Sequence, residues 1–168
     1  MKTPPFAKLR DGLVHPARTA LASVLAVLAA RAVGMPEVVW APISTIIVMQ
    51  STLGAALKIS RQRWAGTALG SAAGALLVSC FGSSLVAFGV GVFILGLLCV
   101  ALRLDRAAYR FAGITLTVIM VVASTEPVWI VAVHRFVEVS IGIGVGVVVM
   151  ALCPEKALQS AKADSKST

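Results

Sequence analysis

The chain has 168 residues, the length of one domain, and 58% of them are hydrophobic while only 13% are charged. Average globular proteins are about a quarter charged, so this composition excludes a soluble fold, which would lack the polar surface to cover itself. The net charge of +8 is spread over four segments, which is the pattern of membrane topology and anionic headgroups and calls for no nucleic-acid partner.

Cutting the apolar stretches into pieces of about 20 residues, each able to cross ~30 Å of hydrocarbon, predicts six transmembrane helices in an all-α polytopic fold. They cover residues 18–33, 38–56, 64–81, 84–102, 111–125 and 128–152. Residues 1–17 then form a basic N-terminal segment, 18–152 the six-helix module and 153–168 a polar tail. The breaks carry turn chemistry: Gly34 and Pro36 in "GMPE", Gly82 in "FGSS", and Glu126 with Pro127 in "TEPVW".

The first span follows basic residues and ends in the small-residue run "AARA", features shared with signal peptides. Five further spans and a consistent topology favour an uncleaved helix. Arg18 and Arg31, at its two mouths, read first as interfacial anchors and second as attractors of an anion. In the second span Ser44, Thr45, Ser51 and Thr52 share one arc of a helical wheel and Gln50 points nearly opposite, so a central position lining a cavity is expected. The same hydroxyls can instead bond back to their own carbonyls, and Pro42 can kink the helix. The third span, "GTALGSAAG", puts Gly66, Gly70 and Gly74 on one face for close helix packing, and Gly82, Gly89 and Gly96 form a second stripe in the fourth. The fifth is the shortest, about 15 uncharged residues or ~22 Å.

The sixth span contains "RFVEVSIGIGVG", in which Arg135, Glu138, Gly142 and Gly146 share a face. At ~1.5 Å per residue Glu138 lies near the bilayer midplane, and His134 is i, i+4 from it. One reading is an ion pair that satisfies itself within the helix, with Arg135 snorkelling outward. The other is functional and is preferred: a charge at the helix centre costs ~2.5–3.5 kcal/mol on insertion, and packing alone does not require ionisable groups. In that reading Arg135 holds an organic anion, while Glu138, with His134 beside it, exchanges a proton.

Topology follows from lysine and arginine. With the N-terminus inside, the inner segments hold Lys2, Lys8, Arg10, Arg18, Lys58, Arg61, Arg63, Arg103, Arg106, Arg110, Lys156, Lys162 and Lys166, and the outer connections hold Arg31 alone. Trp40, Trp64, Tyr109 and Trp129 fall at predicted span ends, as interfacial aromatics do. Both termini are therefore expected in the cytoplasm of a bacterial-type inner membrane. Cys80, Cys99 and Cys153 have no zinc-like spacing and read as small buried residues. No nucleophile, metalloprotease or phosphate-loop motif occurs, so no enzyme, metal or cofactor is expected.

The segment from His15 to Leu77 resembles the opening of the fusaric acid resistance family of transporters, relatives of the aromatic acid exporters. The resemblance rests on His15, Pro16, Arg18 and Thr19, on "WAPIS" (40–44), "MQSTLGA" (49–55) and "RWAGTALGSAAG" (63–74), and on the late "RFVEVSIGIGVG". It implies a six-helix transporter module and proton-driven efflux of aromatic or other organic carboxylic acids. Many members carry two modules or a large soluble domain. A lone module implies a homo-oligomer, and the charge bias makes its copies parallel. The expected substrate site lies near the midplane between the sixth and second spans, with Arg135, Ser44, Thr45 and Gln50 as binding residues. The alternatives are a non-transporting scaffold or accessory subunit and, third, a passive anion channel.

Overall fold

The computed structural model describes residues 13–50, 52–121 and 126–152. Among them it has six α-helices and no strand: α1 Val14–Ala32, α2 Trp40–Val48, α3 Leu53–Phe81, α4 Leu85–Ala101, α5 Arg106–Val121 and α6 Val128–Leu152. Ser51, Cys153, the last residues of the predicted fifth span and both terminal segments lie outside the described residues. α3 and α6 are long and apolar enough to cross a bilayer; α4 is apolar but shorter.

The second predicted span is not one helix. α2 ends at Val48, Met49 leaves the helix with ψ 93°, and α3 begins at Leu53. Gln50 turns its amide back to donate to the Ile47 carbonyl at 2.7 Å, closing the end of α2. Thr52 caps α3: its hydroxyl accepts from the Ala55 N–H at 3.2 Å and its carbonyl from the Ala56 N–H at 3.0 Å. The inner loop expected around Lys58, Arg61 and Arg63 is likewise absent, because these residues lie within the 29-residue α3. At ~1.5 Å per residue α3 is ~43 Å long, more than the ~30 Å hydrocarbon layer. Its charge-free part, residues 64–81, matches that layer.

The chain divides into two compact units, residues 1–57 with 141–168, and residues 58–140. In the first, α1 lays a stripe of Arg18, Ala22, Ala26 and Ala30, all buried at four-residue spacing. Ala26 and Ala30 pack with Ala41 of α2, and Ile141 and Val145 of α6 complete the cluster. α1 stops at Gly34, whose φ of +79° suits glycine, and the N–H groups of Gly34 and Met35 bond back to Arg31 and Ala30. In the second unit Leu95, Ala112, Leu116 and Met120 form the centre, and a smaller cluster joins Ala75, Ile119 and Ala132.

Large apolar side chains point outward all along α1 and α4. Leu85 is 83% exposed and Phe93 67%, with Leu21, Leu28, Ile94 and Leu97 also open. Surfaces of this kind are stable against lipid and not against water. Cys99 is buried as expected, but Cys80 is exposed on the same outer surface as Leu76 and Phe81, which corrects its reading as a buried residue.

Candidate functional site

α6 carries the two charges of the sixth predicted span. Arg135 and Glu138 are one turn apart on α6, and the guanidinium Nη1 stands 3.6 Å from the Glu138 carboxylate. Glu138 is 1% exposed and the Arg135 side chain 12%, so both charges are withdrawn from the lipid face. That is the geometry of an intrahelical ion pair, and Arg135 does not reach outward to an interface. His134 is half-buried on the turn before.

The same unit holds an aromatic contact beside the pair and a second buried arginine. Trp64 of α3 packs on Phe136 with ring centroids 5.3 Å apart. Arg63, only 3% exposed, lies over the Phe111 ring of α5, with its guanidinium carbon 5.0 Å from the centroid. Sequence reading had assigned Arg63 to a loop and missed it. The available signal was its place on a stripe with Ser60, Thr67, Gly70 and Ser71, all buried on one face of α3.

The same face brings α3 and α5 together. A β-carbon added at Gly66 would stand 2.8 Å from that of Phe111, and one at Gly70 2.9 Å from that of Thr115. At Gly74 it would stand 3.0 Å from Ile119. The stripe in α4 behaves differently. Among the described residues Gly82 and Gly89 have nothing within 4 Å and Gly96 meets the Tyr109 ring, while the close contact on α4 is made by Gly91 against Leu77 and Leu116.

In the first unit the polar residues of α2 serve helix packing. Ser44 donates to the Trp40 carbonyl at 2.6 Å, and Thr45 to its own Ala41 carbonyl at 3.1 Å. Thr45 also donates across to the Gly142 carbonyl of α6 at 2.8 Å. Gly142 and Gly146 make this approach possible: added β-carbons would stand 2.7 Å from that of Ser44 and 3.1 Å from Val48. Of the expected binding residues, Arg135 thus falls in one unit and Ser44, Thr45 and Gln50 in the other.

Arg18 also departs from expectation. Read as an interfacial anchor, it is 6% exposed and its Nη2 donates to the Met150 sulfur at 2.9 Å, whereas Arg31 is exposed. Among the described residues no cluster of His, Cys, Asp or Glu could hold a metal ion.

Neither a curated protein nor a solved structure matches the chain. The model of a family described as fusaric acid resistance protein-like does match, over residues 25–149 of the 168. That match takes in the α2–α3 break, the α3–α5 glycine face and the Arg135–Glu138 pair, and the chain belongs to this family of membrane transporters.

Proposed function

We propose that the protein is a proton-coupled exporter of aromatic or other organic carboxylic acids, with six membrane spans and both termini cytoplasmic in an inner membrane. The observation that carries this reading is Glu138, a carboxylate buried to 1% exposure in a membrane helix beside Arg135. Ionisable groups in such positions mark transport pathways.

The pair suggests a coupling step. Empty and facing inward, Arg135 is neutralised by Glu138. A substrate carboxylate arriving from inside exchanges for Glu138 on the guanidinium, which offers a planar two-point donor to either. Facing outward, the displaced Glu138 takes a proton, and the substrate leaves. The proton rides back and is released inside as Glu138 re-forms its ion pair. Each cycle moves one carboxylate out and one proton in. The aromatic side chains beside the pair, Phe136 and the Trp64 packed on it, suit a substrate ring. The reading includes homo-oligomers whose copies lie parallel, as the lysine and arginine bias implies.

The test is flux of a mixed pool of aromatic carboxylates in proteoliposomes under an imposed pH gradient. Wild type should show gradient-driven flux and Glu138→Gln should lose it while remaining folded. Flux in neither protein would favour a scaffold, and equal flux in both, independent of the gradient, an anion channel.

A further inference from the structure

The α2–α3 break and the buried Arg18 stand at the same level of the first unit. α6 runs parallel to α2 there, with Gly142 against Ala41 and Ser44, and Gly146 against Thr45 and Val48. One turn further, Met150 is level with the residues that follow Val48, and Arg18 is bonded to Met150. Arg18 is the end of a stripe whose other members are Ala22, Ala26 and Ala30. A full guanidinium thus occupies a line of alanine contacts, at the level of the α2–α3 break.

The guanidinium is poorly served. Its Nη2 meets a thioether, a weak acceptor. Its Nε and Nη1 are shut off from solvent and have no hydrogen-bond partner among the described residues. Glu37, the one described carboxylate of this unit, follows the opposite end of α1. A buried cation in this condition is unfavourable unless an anion shares the site for part of its working life. Met49, at the break itself, is 4% exposed, so this irregular backbone is enclosed by protein. A thioether against the donor fork, at the end of a stripe of buried alanines, suits an anion that brings an apolar body and disfavours a fully hydrated inorganic ion.

We propose that Arg18 is an anion-binding residue, the inner station at which the carboxylate of an organic acid is taken up as α1 and the end of α6 part. The class of ligand rests on the transport reading above; the site itself rests on the burial and the unmet donors. In the conformation described, the site is closed and Met150 holds the place of the ligand.

The test is thermal unfolding of the full chain in detergent, with phthalate, inorganic phosphate or dioctanoyl phosphatidylglycerol as probes. Phthalate should raise the melting temperature of wild type and leave Arg18→Met unshifted, while Arg18→Lys, which keeps charge without the fork, should need roughly tenfold more phthalate. Without ligand Arg18→Met should melt at or above wild type, since it removes a buried charge that no described carboxylate balances. A phthalate shift that persists in Arg18→Met would overturn the proposal. So would stabilisation by the lipid or by phosphate alone, or a lower melting point of ligand-free Arg18→Met. Arg18-dependent phthalate binding without flux would sink the transport reading and keep this site; flux with binding unchanged in Arg18→Met would do the reverse.

Discussion

Glu138 and Arg135 are each tolerable because of the other. Removing one partner of a buried ion pair leaves an uncompensated charge, a loss of ~3–5 kcal/mol, whereas removing both is often close to neutral. Arg135→Gln or Glu138→Gln alone should therefore lower the melting temperature in detergent, and the double variant should recover most of the loss. Additive losses would contradict the pairing. The glycines allow a second comparison. Gly70→Ala puts a β-carbon into the Ala112 carbonyl and against Thr115 and should destabilise by ~1–3 kcal/mol. Gly89→Ala meets nothing within 4 Å and should gain up to ~1 kcal/mol from helix propensity. The Arg135–Glu138 face and the Gly66, Gly70 and Gly74 stripe could be read from spacing alone, because helix geometry fixes which residues share a face. Spacing does not say whether a neighbour stands opposite that face, and so Gly89 was grouped with glycines that pack.

At the scale of elements, each of the six helices overlaps a stretch that hydropathy marks out, but one predicted span, 38–56, is divided between α2 and α3. "IIVMQSTLGA" contains neither proline nor glycine before its ninth residue, Gly54, and only three polar residues interrupt its apolar run, so hydropathy favours a single helix through residues 38–56. The signal that was present is local: a β-branched run at Ile46, Ile47 and Val48, followed by Gln50, Ser51 and Thr52, whose side chains compete for backbone groups. Thr52→Ala removes the cap of α3 and should cost ~1 kcal/mol, read as a lower melting temperature. Gln50→Leu leaves the Ile47 carbonyl without its amide donor and should be destabilising by a similar ~1 kcal/mol. α4 ends on a different device. Arg103 stands at φ 53°, a left-handed conformation that disfavours a side chain. Arg103→Gly should accordingly be neutral or stabilising in the same assay, despite the lost charge.

At the scale of the molecule, the membrane class was legible from composition, and the outward apolar faces of α1 and α4 agree with it. Buried Arg18 and Arg63 were not legible as such, since the positive-inside pattern counts an arginine in the same way whether it anchors at an interface or is enclosed by helices. The proposed six-span topology makes a direct prediction: a cysteine placed at Ser83 should react with a membrane-impermeant maleimide from outside intact cells, and one at Asp105 only after permeabilisation. Labelling of both from one side would rule that topology out. The most direct test of the central claim is the sign of the pH change inside proteoliposomes preloaded with phthalate. Coupled export predicts that the lumen acidifies as phthalate leaves through wild-type protein and that Glu138→Gln abolishes the effect. Passive loss of the neutral acid removes protons from the lumen, so alkalinisation, or acidification that persists in Glu138→Gln, would contradict the account.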